Sequence, residues 1–298
     1  MDLGKMVHRL VLQALNRQHM KTSLFILLAA SLVLGAFTLS AAEPEYDGKK
    51  FGSWVREFRQ TGNLENRQHA RDAIRQIGTN ALPFLLEEIS GLGAAWKADL
   101  TNFVNSQPML ERTMNVRFAF EALGEVAEPA WENLMSMMNK EEGFYADTAA
   151  YALTQINPKR AAPLLSGLII KTNRSNFVRC AAINNLFFVG TNANIAVPSL
   201  LSCMDETGDT QEARDLRRLA VSALGNIAQR PDVVVPRLTT VLKVDEFWMV
   251  RSVAARSLGA FTNAAAPALP ALRAAATNDV NGRVRKAATA AIKKIEPD

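Results

Sequence analysis

From about residue 70 onward the chain repeats one pattern of apolar and polar positions. Taking Ala70, Ala119, Ala149, Ala182, Ala220, Ala254 and Ala288 as position zero, the residue four places on is Ile74, Leu123, Leu153, Leu186, Leu224, Leu258 or Ile292. Seven places on stand Ile77, Val126, Ile156, Val189, Ile227, Phe261 and Ile295. Three places on is alanine in five repeats, with Asn185 and Ser257 in the other two. Apolar residues at 0, +3, +4 and +7 share one face of an α-helix. Small residues at 0 and +3 let a neighbouring helix come close. The anchors are separated by 49, 30, 33, 38, 34 and 34 residues, a spacing typical of helical solenoids.

A second helix per unit is predicted from the prolines. Pro83, Pro129, Pro163, Pro198, Pro236 and Pro267 each follow an anchor and lead a short apolar stretch. Proline suits the first turn of a helix, where its missing N–H costs nothing. Turns such as Gly78-Thr79-Asn80-Ala81 and Gly190-Thr191-Asn192-Ala193 recur between the two helices. Glycine there ends one helix, and Thr or Asn caps the next. No alternating strand pattern of useful length is found. Asp232-Val233-Val234-Val235 is β-prone, but the repeat register places it at a helix entrance. The pattern predicts an all-α solenoid of about seven two-helix repeats, an α-α superhelix over 43–298.

The motif Val-Arg-x-x-Ala-x-x-Ala-Leu resembles the HEAT-repeat family, in particular the short bacterial HEAT-like repeats of the phycobilin-lyase type. It is carried by Val178-Arg179, Leu216-Arg217, Val250-Arg251 and Val284-Arg285 with their anchors. Asp245 and Asp279 stand six residues before an arginine. The resemblance spans roughly 51–296 and implies the stacked fold. It implies little about activity, because the shared residues build the stack. It also implies that Arg179, Arg217, Arg251 and Arg285 pair with Asp245 and Asp279 in a structural ladder between repeats. Two units depart from the motif: Arg117 is displaced by one, and Ala146 replaces the arginine in the third.

The first 42 residues read as a leader. Leu24–Leu39 is an uncharged, mostly apolar run between Lys21 and Ser40-Ala41-Ala42. That is the layout of a signal peptide cut after Ala42, with Met20 as an alternative start. The apolar run is shorter than the roughly 20 residues of a membrane span, so membrane attachment is expected only if the leader stays uncleaved. An exported, periplasmic or secreted chain follows. The whole chain carries a formal charge of +5. Removing the leader takes four basic residues and one acidic residue with it and leaves +2. That near-balance argues against nucleic acid as partner.

Candidate chemistry is sparse. Two cysteines exclude a disulfide-rich scaffold and a four-cysteine zinc site. Cys180 and Cys203 are placed on the same edge of the stack, either as small buried hydrophobes or as a disulfide. His69, beside an anchor, has no spaced ligand or base partner and reads as helix surface. No phosphate loop, metal-spaced cluster, nucleophile elbow or paired-carboxylate motif appears. No cofactor, metal site or catalytic residue is expected.

Two irregularities point to function. The first anchor gap is long, so 92–113 is read as an insertion, of the kind that decorates a binding face in solenoids. And Phe120, Tyr151, Phe187 and Phe188 fall at positions +1, +2, +5 and +6 of the anchor helices, which point away from the repeat core. Those helices line the concave side in HEAT-like stacks. The aromatics are then either a strip that binds a protein or peptide partner or a floor for the insertion. The expected function is a protein-interaction scaffold working through its concave face. The alternatives are a solenoid enzyme or small-molecule binder with a pocket under 92–113 and, more weakly, nucleic-acid binding.

Overall fold

The structure, a computed structural model, describes residues 41–98, 107–139, 143–170, 175–206, 208 and 210–297. The leader expected over 1–42 therefore lies, up to residue 40, outside the described residues. Glu43–Asp298 forms one compact unit.

A small hairpin opens it. β1 (Glu45–Tyr46) pairs antiparallel with β2 (Lys49–Lys50). Asp47 and Gly48, at φ 50° and 67°, make the two-residue turn between them, as Asp-Gly pairs do in tight hairpins. This Asp-Gly signal was present in the sequence and is easily passed over beside two-residue strands. The hairpin seats the first helix: Trp54 Nε1 donates to the Tyr46 carbonyl at 3.1 Å, and Lys49 lies over the Trp54 ring.

The rest is helix. In order run α1 (Phe51–Gln60), α2 (Leu64–Ile77), α3 (Leu82–Ala98), α4 (Gln107–Leu123), α5 (Trp131–Asn139), α6 (Gly143–Ile156) and α7 (Pro158–Ile169). Then follow α8 (Asn176–Asn185), α9 (Val197–Cys203), α10 (Gln211–Ile227), α11 (Pro231–Val244), α12 (Trp248–Ala260), α13 (Leu269–Asn278) and α14 (Gly282–Ile295). Each odd-numbered helix packs on the even-numbered helix after it, and successive even-numbered helices pack on one another. That is a two-layer solenoid of seven helix pairs among the described residues. The even-numbered helices carry the anchors and are called anchor helices below.

The core follows the sequence pattern. All seven anchor alanines are fully buried, and so are Ile74, Leu123, Leu153, Leu224 and Leu258 at +4. The second repeat, however, is out of register by three. Gly78 and Gly190 stand at +8, just past their helices, with φ of 57° and 58°. Thr262 and Ala228, also at +8, share that left-handed φ. Gly124, with φ 56°, follows α4 in the same way. Position zero of that repeat is therefore Val116, not Ala119. The gaps become 46 and 33 residues instead of 49 and 30. The error came from the alanines: α4 carries both Ala119 and Ala122, each fully buried, so two registers fit the small-residue rule.

The prolines also need correction. Pro83 and Pro198 occupy the second position of α3 and α9. Pro129 and Pro267 lie in 3-10 turns just before α5 and α13. Pro163 and Pro236 sit inside α7 and α11, which start earlier at Pro158 and Pro231. Asp232–Val235 is helical, as the repeat register requires.

The described parts of the region read as an insertion, 92–98 and 107–113, are helical. α3 and α4 are 17 residues each. Residues 99–106 between them, and with them Phe103, lie outside the described residues. The side chains of Trp96 and Pro108 also lie outside the described ones, so the expected cover or pocket at 92–113 falls there too. The stretch Asn176–Cys203 is apolar and long enough to cross a membrane by length and composition. It is broken at Gly190, and Val178, Leu186, Val189 and Leu200 within it are buried in the core.

Candidate functional site on the anchor-helix face

The arginines of the repeat motif are built into the stack. Arg217 Nε donates to Asp245 Oδ2 at 2.9 Å, while its Nη1 donates to the carbonyls of Glu206 and Gly208. Arg251 holds Asp279 through two donors, at 2.8 and 3.0 Å, and bonds the carbonyls of Asp245 and Glu246. Each aspartate also accepts a backbone N–H two residues on, from Phe247 and Asn281. One carboxylate thus closes its own loop and ties the preceding repeat. The Arg251 hydrogen bonds hold the Asp279 carboxyl below its ordinary range, and they raise Arg251 in turn. Among the described residues Arg285 bonds the Asp279 and Val280 carbonyls and no carboxylate. Arg179 is buried. Its Nε bonds the Ile169 carbonyl at 2.9 Å, and its Nη2 pairs with Glu206 and reaches Cys203 Sγ. Burial works against the Arg179 charge, but the Glu206 hydrogen bond prevails and raises its pKa.

Cys180 and Cys203 are both free thiols, so no disulfide is present between them. Cys203 is buried at the end of α9 and donates towards the Ile169 carbonyl at 3.8 Å. The position is filled by a hydrogen-bonded thiol beside the Arg179 guanidinium. Burial pushes the Cys180 thiol up to about 11, with Asp215 adding to the rise. His69 is exposed and packs edge-on against Trp54.

The four aromatics read as one outward strip part company. Phe120 is 0% exposed. In the corrected register it stands at +4, a core position, so it is not a binding residue. Tyr151 is 8% exposed; its ring packs edge-on to Phe188 at 4.8 Å, and Arg117 stacks on it at 4.4 Å. Burial pushes the Tyr151 phenol up; Glu121 adds to the rise and Arg117 opposes it. Only Phe188, at 40%, and Phe187, at 67%, face solvent. Their rings meet edge-on at 5.3 Å. Edge-on pairs of this kind hold ring orientation and add about 0.5–1.5 kcal/mol each.

Around them is a polar frame that sequence reasoning missed. Arg117 reaches Asp147 at 3.5 Å and Asn185 at 3.4 Å. Asn185, fully buried, donates to Asp147 Oδ1 at 3.0 Å and to the Ala181 carbonyl at 2.8 Å. The signal was the asparagine itself, standing where five other repeats have alanine. Beside Phe187 a cleft of about 390 Å³ opens between α8 and α10, lined by Phe187, Leu219, Ser222, Asn226 and Gln229 among others. The face therefore presents a clamped aromatic pair next to a polar-rimmed cleft.

Farther along the same face a groove of about 520 Å³ crosses α10, α12 and α14. Trp248, Met249 and Val253 line it with Arg218, Arg256, Arg283 and Lys286. Among the described residues no three His, Cys, Asp or Glu side chains converge as a metal site.

Comparison with known proteins agrees with this architecture. Residues 209–293 match the model for HEAT repeats. No curated protein matches the chain. The karyopherin Kap121p bound to the SUMO protease Ulp1p is similar, with TM-score 0.55 and 16% identity over 83% of this chain and 29% of that one. Kap121p bound to Ste12p gives TM-score 0.54 and 15% identity over 82% of this chain and 29% of that one. Human deoxyhypusine hydroxylase aligns over 83% of this chain and 95% of that one at 21% identity, with TM-score 0.38. At 15–16% identity the likeness to Kap121p is one of fold alone. The chain has the α-solenoid fold of HEAT/armadillo type, and its residues 209–293 are similar to HEAT repeats.

Proposed function

We propose that the chain is an exported protein-interaction scaffold that docks a peptide segment of its partner on the anchor-helix face. The observation that carries this reading is Phe187. It is a large apolar side chain left 67% exposed, yet its ring packs edge-on to Phe188, which in turn packs on Tyr151 beneath Arg117. A ring oriented before binding loses little freedom when a partner covers it, which is how interface anchors gain affinity. The adjoining cleft supplies amide and hydroxyl groups from Asn226, Gln229 and Ser222 for a backbone to bond. Export rests on the leader sequence at 1–42, and the concave placement of this face on the resemblance to HEAT-like stacks.

The test is a photo-crosslinking residue placed at Phe187 in the native cells, with the same residue at exposed Thr240 on α11 as control. A discrete protein adduct from position 187, absent at 240, is expected. Equal labelling at both positions, or none at 187, refutes the reading.

A further inference from the structure

We infer that the groove across α10, α12 and α14 selects partners carrying a short acidic segment around an apolar side chain. This rests on the scaffold reading above and specifies the chemistry of the partner.

The argument begins with which cations are free. The motif arginines Arg217, Arg251 and Arg285 are spent on carboxylates and carbonyls of the stack. Their neighbours on the same helices are not. Among the described residues Arg256 and Lys286 are exposed and make no hydrogen bond or ion pair. Arg283 lies over the Trp248 ring at 5.1 Å and has no carboxylate partner among the described residues. Arg218 alone is partly answered, by Asp215 on its own helix at 3.2 Å. No aspartate or glutamate lines the groove. Its floor is Trp248, Met249, Val253, Ala287 and Ala290, so it offers apolar contact as well as charge.

Spacing sets the length of the occupant. Packed helices lie about 8–10 Å apart, so cations on three successive anchor helices span about 16–20 Å. An extended chain rises about 3.3 Å per residue, so about five or six residues bridge that distance, with a carboxylate every second or third one. A side chain between them falls on Trp248. The charge on this face is also local. Towards the first repeats Glu121 and Asp147 are paired with Arg67 and Arg117, so that end offers balanced charge and no row of open cations for a phosphate backbone running along the stack. That favours a short acidic peptide over a nucleic acid.

The experiment uses the full chain and fluorescence anisotropy with the labelled peptide Glu-Asp-Glu-Leu-Phe-Glu-Asp-Glu. Its twin has every carboxylate replaced by the amide, and a short oligouridylate serves as competitor. The acidic peptide should bind at least about tenfold more tightly than its twin, and more weakly as salt rises, since exposed charges are screened. Arg256→Glu with Lys286→Glu should cost at least about tenfold, as should Trp248→Ala, with thermal melts unchanged for the charge variants. Arg256→Ala with Lys286→Ala should give a smaller loss in the same direction. Equal binding of the two peptides, no binding of either, or no effect of charge reversal overturns the inference. Tighter binding of oligouridylate with displacement of the peptide overturns it in favour of nucleic acid. The cross-link at position 187 decides the scaffold reading separately, so a neutral partner trapped there leaves that reading standing while this inference falls.

Discussion

Truncating the aromatics one at a time separates folding from binding on the anchor-helix face. Phe120 is 0% exposed and belongs to the continuous core. Phe120→Ala removes a whole ring from between packed helices and should cost about 3–5 kcal/mol, the range for buried phenylalanine. Tyr151 is intermediate. Losing its buried area, the edge contact to Phe188 and the Arg117 stack adds to about 2–4 kcal/mol. Phe187 is mostly in water and gives up one edge contact, so Phe187→Ala should cost under about 1 kcal/mol. Urea melts followed by circular dichroism measure all three, with the midpoint falling in that order. Solenoids need not unfold in one step, because each repeat contacts only its neighbours. Hydrogen exchange over α4 and α6 then assigns the loss to its repeat. Equal losses for Phe120→Ala and Phe187→Ala would mean that the register of α4 is wrong. A loss above about 2 kcal/mol at Phe187 alone would mean that its ring is a structural element and not a surface anchor.

The remaining predictions concern the stack and its chemistry. A methyl group on Gly225 would come within 2.8 Å of the Ser257 Cα, whereas at Gly167 it meets nothing. Gly225→Ala should therefore destabilise by about 1–3 kcal/mol and Gly167→Ala stabilise by about 0.5–1 kcal/mol, read as opposite shifts in urea midpoint. Asp279 has its folded pKa held down by Arg251, so its stabilisation is complete above the unfolded carboxylate pKa and disappears as pH falls through the folded value. Asp279→Asn should cost about 1–3 kcal/mol at neutral pH, and the gap to the parent protein should close below about pH 4; a gap that widens in acid contradicts the ladder. Cys180, with a pKa near 11 against an ordinary 9.0, carries about a hundredfold less thiolate at pH 8 than a free cysteine. Iodoacetamide should label it slowly in the native protein and quickly in urea, as measured by mass spectrometry.

Much of the fold was legible because a solenoid writes its core as a period. One face of each helix must pack on the next repeat, so 0, +3, +4 and +7 recur, and the buried residues follow them. What was not legible came from places where the period underdetermines the answer. In α4 the two alanines Ala119 and Ala122 allow two registers, and only the left-handed Gly124 decides between them. That single shift moved Phe120 from the surface to the core. Tyr151 was read as pointing outward, but Phe188 and Arg117 from neighbouring repeats cover it, and no local pattern reports contacts across 37 and 34 residues. The groove was missed because its cations look like any solvated helix face until three helices are laid side by side.

The arrangement of arginines has a consequence for how such a protein can change its partner. In α10 Arg217 and Arg218 are adjacent in sequence, yet one is tied to Asp245 and two carbonyls while the other faces the groove. In α14 Arg285 bonds the preceding loop while Arg283 and Lys286, two and one residues away, line the groove. A helix turns about 100° per residue, so adjacent positions belong to different duties. The ladder position is fixed by the geometry of its own loop and of the next repeat, and a change there should lower stability whatever is bound. Among the described residues the groove positions Arg256 and Lys286 make no ion pair with another repeat, and a change there should alter only what is bound. Stability and specificity are thus encoded one residue apart in α10 and α14 and five apart in α12, and can vary independently although both are carried by basic side chains of the same helices.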